Sequence, residues 1–174
     1  MLIFTVLFLA TPLLAQEPRR VIVNGEPLKA EMVQALERAY QVPIAPGRYW
    51  YDKASGAWGR EGGPIAGQMM AGLPLGGPLR SNASRGISKV FINGRELTLG
   101  EVQGLQSLCR TPVNQGRYWL NAQGLGGVEG APASFNLAAC APQGRGGGSS
   151  TRTYCDSQGN CSSHGLWGWV STTP

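Results

Sequence analysis

A tandem duplication limits the possible folds of this chain more than any other feature. Residues 21–28 (VIVNGEPL) match residues 90–97 (VFINGREL) at an offset of 69. The same offset places the Gly-Arg-Tyr-Trp tetrapeptide at 47–50 on an identical tetrapeptide at 116–119. Repetition in one register predicts two copies of one structural unit that pack together, because each copy is too small to bury its own apolar faces.

The local pattern of each unit predicts its secondary structure. An apolar triplet followed by Asn-Gly predicts a strand entering a type I′ turn, since both turn residues tolerate positive φ. In the second unit Thr98 and Glu101 match a capping box, which predicts the start of a helix. Pro43 and Pro112 are expected to end the two helices. The Gly-Arg-Tyr-Trp segments then begin a second hairpin in each unit.

The predicted fold is therefore α+β, with two pseudo-symmetric hairpin–helix–hairpin repeats and a small disulfide-stapled β tail. Composition and the repeat divide the chain into a signal peptide (1–15), repeat 1 (20–70), a Gly/Pro-rich connector (71–88), repeat 2 (89–140), a Gly/Ser linker (141–150) and the β tail (151–174).

The N-terminal segment predicts the cellular location. Residues 1–15 (MLIFTVLFLATPLLA) are uncharged and end at a small residue, as in a secretory signal peptide. The run is shorter than the ~20 residues that span a bilayer. A secreted or periplasmic protein is expected, without stable membrane insertion after signal removal; an N-terminal membrane anchor is the alternative.

Four cysteines predict two disulfides in an oxidising compartment. Cys155 and Cys161 flank a turn-forming run, so they are the expected first pair, which leaves Cys109 with Cys140. A metal site of Cys155, Cys161 and His164 is the rival interpretation. It offers three ligands at an unfamiliar spacing, so neither a metal nor another cofactor is predicted.

The repeated signature also resembles a known group of sequences. Asn-Gly, Gly-Arg-Tyr-Trp and Glu-Gly-x-Pro recur in both units, the last at 61–64 and 129–132. This combination resembles that of uncharacterised secreted bacterial proteins without an established activity. The resemblance covers about residues 20–139 and transfers no catalytic residue.

The titratable side chains give little support to an enzyme. His164 is the single histidine, and no nucleophile motif lies near it. Glu61 and Glu129 recur and could face each other as a paired-acid site. In the alternative, each accepts hydrogen bonds within its own Gly-rich turn. A non-enzymatic protein is predicted.

Arg48 and Arg117 precede Tyr-Trp in both units and suit an anionic ligand. An envelope glycan or a protein partner is the predicted class. In the alternative, Arg48 pairs with Glu61 and Arg117 pairs with Glu129. Nucleic acid is not expected, because the basic residues are scattered along the chain.

The tryptophans carry the clearest indication of binding. Trp50 and Trp119 recur, which predicts core packing, whereas Trp58 has no counterpart and is expected to be exposed. Trp167 and Trp169 share one strand face and form either a platform for sugar rings or a cover for the core.

These patterns predict a secreted or periplasmic, non-enzymatic binding or structural module of the cell envelope. A carbohydrate-binding module with exposed tryptophans is the alternative, and a carboxylate-dependent hydrolase is the third. The expected ligand contacts are Trp58, Trp167, Trp169, Arg48 and Arg117. Oligomeric state is not predicted.

Overall fold

The computed structural model describes residues 20–140, and the backbone of two further strands at 152–155 and 161–164. The described residues form an α+β structure with two five-stranded sheets, one two-stranded sheet and three helices. The linker at 141–150 and most of the predicted β tail lie outside the described residues, as does the predicted signal peptide.

The first sheet combines a parallel crossover with antiparallel hairpins. Its elements in chain order are β1 (Val21–Val23), β2 (Glu26–Pro27), α1 (Ala30–Tyr40), β3 (Gly47–Tyr51), β4 (Ala57–Arg60) and β5 (Gly67–Gln68). The strand order is β2-β1-β3-β4-β5. Helix α1 connects β1 to its parallel neighbour β3, and the other strand pairs are antiparallel.

The second sheet has the corresponding strand order, β7-β6-β8-β9-β10. Its elements are β6 (Val90–Ile92), β7 (Arg95–Glu96), α2 (Leu99–Cys109), β8 (Gly116–Leu120), β9 (Leu125–Val128), β10 (Phe135–Asn136) and the short α3 (Leu137–Cys140). Val90 lies opposite Gly116, just as Val21 lies opposite Gly47 in the first sheet. The parallel pairing was not anticipated, because the hairpin signals report only on neighbouring segments of the chain.

The Asn-Gly turns have the backbone conformation that the sequence predicts. Asn24 and Gly25 have φ of 49° and 87°, and Asn93 and Gly94 have φ of 50° and 86°. Each asparagine side chain also accepts a 3.0 Å hydrogen bond from the backbone N–H of the last residue of the neighbouring parallel strand. The turn residue therefore fixes the hairpin and the parallel strand together.

The two helices start differently and end alike. Thr98 and Glu101 form the predicted capping box at the start of α2, whereas Lys29 begins α1 without a side-chain cap. Both helices end at a non-glycine residue in the left-handed conformation, Gln41 with φ 54° and Arg110 with φ 51°. The last helical residues, Tyr40 and Cys109, therefore lie three residues before Pro43 and Pro112, the predicted helix ends.

Each helix packs on one face of its own sheet. The buried apolar residues of the first cluster are Val21, Val23, Val33, Leu36, Tyr51 and Leu75. Those of the second are Val90, Ile92, Leu97, Leu105, Leu120 and Leu137. The opposite faces of the two sheets carry Trp50 and Trp119.

One disulfide lies within the described residues. Cys109 at the end of α2 is bonded to Cys140 at the end of α3, across 31 residues, as the sequence predicts. The strands β11 (Arg152–Cys155) and β12 (Cys161–His164) form an antiparallel pair with Cys155 opposite Cys161. The side chains of that second predicted pair lie outside the described part of the structure.

Candidate functional site

Trp50 marks the face of the first sheet that lies away from α1. Its side chain is 1% exposed. The indole lies over Gly59, where an added methyl group would come within 2.7 Å of the ring. The indole Nε1–H donates a 3.1 Å hydrogen bond to the carbonyl oxygen of Gly63. The β4 glycine and the turn after it therefore form the floor on which the indole rests.

The second half of the chain covers this face with an arginine. The Arg95 guanidinium, from β7, lies 4.0 Å from the centroid of the Trp50 ring. It forms a 3.0 Å ion pair with Glu101 in the first turn of α2, and it also donates to the Ser84 hydroxyl. The side chains of the ion pair are 5% and 1% exposed. The Trp50 face is thus closed by a buried, paired cation.

Glu101 connects the two halves through its carboxylate. One oxygen accepts from the Thr98 backbone N–H at 2.7 Å, which completes the capping box. The other accepts a 3.0 Å hydrogen bond from the backbone N–H of Ile65, which belongs to the first half. Among the described residues, every buried side-chain nitrogen and oxygen has a hydrogen-bond partner. A buried charge is therefore tolerated here, because its hydrogen bonds are complete.

A second polar contact joins the sheets at their turns. The Asn93 side-chain amide donates to the carboxylate of Asp52 at 2.6 Å. Asp52 is buried and also accepts from the Ser55 hydroxyl at 2.5 Å. The same asparagine that fixes the second hairpin therefore holds the first sheet against it.

Trp119 occupies the corresponding place in the second sheet, but it is only half-buried. Its Nε1–H donates a 2.9 Å hydrogen bond to Ala131, and Gly127 lies beneath the ring. The neighbouring Leu125 is 40% exposed. The expectation that both tryptophans are core residues therefore holds for Trp50 and is wrong for Trp119. The physical reason is that no described residue covers Trp119 as Arg95 covers Trp50.

The two recurring arginines form ion pairs inside their own sheets. Arg48 contacts Glu61 at 2.5 Å, and Arg117 contacts Glu129 at 2.5 Å. All four side chains are at least one-third exposed, Glu61 the least at 33%. This is the hairpin-tying arrangement that the sequence offered as the alternative to an anion site.

Trp58 does not form an exposed platform. Its ring is half-buried against the first core cluster and packs on Tyr49 with 6.2 Å between the ring centroids. It also fills the space above Gly67, on the adjacent strand. The expectation that Trp58 is exposed is therefore wrong, because the missing side chain at position 67 makes room for the indole. Trp167 and Trp169 lie outside the described residues.

The described residues contain few chemically reactive groups. No group of three or more His, Cys, Asp and Glu side chains in them lies close enough to hold a metal ion. Burial raises the pKa of Tyr51, whose hydroxyl donates to the Met70 carbonyl at 2.6 Å. No helix in this part of the chain has the length and apolar character needed to cross a membrane.

Comparison with known proteins finds relatives in a plant. The chain is 41% identical over 106 residues to extra-large guanine nucleotide-binding protein 1 of Arabidopsis thaliana, which is 60% of this chain and 12% of that protein. It is 31% identical over 108 residues to extra-large guanine nucleotide-binding protein 2 of the same plant, again 12% of the relative's length. No family model and no solved structure matches the chain.

These relatives overturn the predicted function and location. They are plant guanine nucleotide-binding proteins, so the prediction of a secreted or periplasmic module of the cell envelope is wrong, as is its carbohydrate-binding alternative. The prediction relied on an apolar run of 15 residues and an even number of cysteines. Neither pattern is specific to export, and the run lacks the positive charge that begins a typical signal peptide.

The names of these relatives refer to guanine nucleotide binding, but the sequence of this chain contains no phosphate-binding loop. Such a loop has the pattern Gly-x4-Gly-Lys-Ser/Thr. The three lysines of the full sequence follow Leu28, Asp52 and Ser88, so none follows a glycine. The matched segment therefore lacks the motif that holds nucleotide phosphates in that class of protein.

Proposed function

We propose that residues 20–140 form a non-enzymatic protein-binding domain, related to a short segment of the plant extra-large guanine nucleotide-binding proteins. Its binding surface is the side of the second sheet that carries Trp119. This surface, called the open face below, consists of Phe91, Arg117, Trp119 and Leu125. We further infer that the two sheets are copies of one duplicated unit.

One observation carries the proposal: the same tryptophan site is closed in one sheet and open in the other. The glycine floor and the indole hydrogen bond are present in both. Only the first site has a covering segment among the described residues. An indole on a preformed floor next to an exposed leucine has the character of a protein interface, where large aromatic residues are enriched.

The charges around the open face favour binding over catalysis. Arg117 is paired with Glu129 and also lies 5.1 Å from the Phe91 ring centroid. Its guanidinium is thus held in place by two neighbours. No unpaired acid, base or nucleophile remains on this face among the described residues to carry out a reaction.

The proposal is tested with a library of displayed peptides selected on the full chain and counter-selected on the Trp119→Ala variant. Selection should enrich peptides that bind the wild-type chain and lose binding in that variant. Leu125→Glu offers a second, independent change on the same face, in case Trp119→Ala perturbs folding. Ile87→Ala is the matched control, because Ile87 is an apolar side chain that is 74% exposed and lies in the connector before β6, outside the four residues of the open face.

Peptides whose binding ignores both open-face variants would contradict the proposal, as would a failure to enrich any peptide. A parallel titration with a fluorescent GTP analogue and Mg²⁺ is expected to show no binding to the chain. If GTP binds saturably and this binding is lost in Trp119→Ala, the open face is a nucleotide site and the proposal of a protein-binding surface is wrong. Circular dichroism of each variant checks that the fold is retained.

A further inference from the structure

We infer that the partner of the open face presents an arginine that stacks on Trp119, together with a carboxylate six residues further along the partner's chain. The inference rests on the proposed function and deepens it by naming the chemistry of the partner. The molecule contains its own example of such a contact, because Arg95 and Glu101 close the equivalent site at Trp50.

The first requirement is a flat cation. Arg95 lies over the Trp50 indole at a centroid distance of 4.0 Å, with an exposed fraction of 5%. A guanidinium is planar and weakly hydrated, so it stacks on an aromatic ring more readily than the ammonium of lysine. Trp119 presents its indole in the corresponding way, with Gly127 beneath it, and no described cation lies above it.

The second requirement is an acceptor for a backbone N–H. In the closed site Glu101 accepts from Ile65 at 3.0 Å. The corresponding residue of the second half is Ala133, which is exposed and whose N–H has no partner in the described part of the chain. A partner carboxylate at this point would accept from Ala133 and neutralise the stacked arginine, as Glu101 does for Arg95.

An exposed ion pair lies beside each of the two tryptophan sites. The pair Arg48–Glu61 flanks the closed site, and the pair Arg117–Glu129 flanks the open one, each with a 2.5 Å contact. Each rim is therefore neutral overall. A cation above Trp119 would therefore meet an ion pair of the same net charge as the one beside Trp50.

A second copy of this chain does not fit the open face. In the first half, the positions of Arg95 and Glu101 are taken by Glu26 and Met32. A carboxylate would then face the negative face of the indole, which is unfavourable. The Arg95 of a second copy is already buried against its own Trp50. The partner is therefore a different protein segment.

The test uses the isotopically labelled full chain and a synthetic peptide of its own residues 79–105, the segment that closes the Trp50 site. Because Trp50 is already covered, the free peptide should shift the Trp119 indole N–H resonance, assigned with Trp119→Phe. Replacing Arg95 by Ala in the peptide should weaken binding about tenfold, the scale of a desolvated cation–π contact. Arg95→Lys in the peptide should fall between, and Glu101→Gln should also weaken binding.

Equal binding of the Arg95→Ala peptide would overturn the arginine requirement and leave the open face as a docking surface. Absence of any Trp119 shift would overturn the inference, while Trp119-dependent library peptides would still support the proposed function. Sedimentation velocity tests whether a second copy of this chain binds to the open face. A dimer that disappears in Trp119→Ala would assign the face to a second copy and overturn the inference.

Discussion

In the first sheet an aromatic ring from β4 packs on Tyr49, and in the second sheet an aromatic ring from β10 packs on Tyr118. The centroid distances are 6.2 Å for Trp58 on Tyr49 and 6.1 Å for Phe135 on Tyr118. Each ring packs on the tyrosine of a Gly-Arg-Tyr-Trp segment, although Trp58 lies on β4 and Phe135 lies on β10. Both sheets therefore have an aromatic contact to this tyrosine, and the second ring comes from a different strand in each.

The exchange is made possible by glycine on the opposite strand. Trp58 lies directly across from Gly67, and Phe135 lies directly across from Gly126. A methyl group added at Gly126 would come within 2.4 Å of the Phe135 ring. In each sheet, one member of the cross-strand pair supplies the ring and the other supplies the space for it.

The ends of the two helices are also fastened by different chemistry. In the second half, the disulfide joins Cys109 to Cys140 beyond β10. The residue corresponding to Cys109 in the first half is Tyr40, whose hydroxyl accepts a 2.9 Å hydrogen bond from the Met70 backbone beyond β5. A covalent link and a single hydrogen bond thus make the same connection, with different strengths.

The largest effect is expected from Arg95→Ala. Removing one partner of a buried ion pair leaves the other charge uncompensated, which lowers the free energy of unfolding by about 3–5 kcal/mol. Glu26→Ala changes the corresponding, exposed position of the first half and should shift it by less than about 0.5 kcal/mol. Urea denaturation of both variants measures the difference. Comparable losses would show that Arg95 is not a buried link between the sheets.

Opening the disulfide should have the next largest effect. The double change Cys109→Ser and Cys140→Ser releases a 31-residue link, which lowers the free energy of unfolding by about 3–4 kcal/mol in the chain-entropy model. Tyr40→Phe removes the corresponding hydrogen bond and should cost about 1 kcal/mol. Thermal unfolding under non-reducing conditions compares them. If the tyrosine variant loses as much, the two fastenings are of equal strength.

Moving the ring between strands sharpens the comparison of the two aromatic sites. Trp58→Gly alone removes a half-buried ring and should lower the free energy of unfolding by about 2–3 kcal/mol, toward the low end for large-to-small changes. Adding Gly67→Phe recreates the arrangement of the second sheet and should recover at least about half of the loss, since contacting residues couple. If Trp58→Gly and Gly67→Phe lower the denaturation midpoint additively, an aromatic ring at position 67 does not replace the ring at position 58, and the prediction is wrong.

The smallest effect is expected at the exposed ion pairs. Arg48→Ala and Arg117→Ala should each change the free energy of unfolding by less than about 1 kcal/mol, because exposed pairs are screened by water and salt. A double-mutant cycle with Glu61→Ala or Glu129→Ala isolates each pair. Coupling above about 2 kcal/mol in either sheet would assign these arginines a larger structural role than their exposure indicates.

Local sequence signals predicted the elements well. The Asn-Gly pairs specified both tight turns, and Thr98 with Glu101 specified the start of α2, because each signal acts over two to four neighbouring residues. The left-handed ends at Gln41 and Arg110 carried no such signal, since neither is glycine or asparagine.

The contact between the sheets had no signal in the sequence. Arg95 and Glu101 occur inside a segment that is otherwise read as a turn and a helix cap. Their burial depends on Trp50, which is 45 residues earlier than Arg95. Recurrence of Trp50 and Trp119 predicted equal burial, but one of the two positions depends on what packs above it. Glu26 and Met32 stand in the first half where the second half has Arg95 and Glu101, but this difference alone does not identify Trp50 as their neighbour.

The contact between the halves is heterologous, since different surfaces of each half meet, and repeated heterologous contacts form closed rings or open filaments. A head-to-tail contact of this kind would continue from copy to copy into a fibre if both exposed ends matched. Here the ends do not match: one carries Trp119 and the other carries Glu26 where an arginine would be needed. The first half therefore lacks the arginine of the Trp50 contact, so the same residues cannot repeat this contact from one copy to the next.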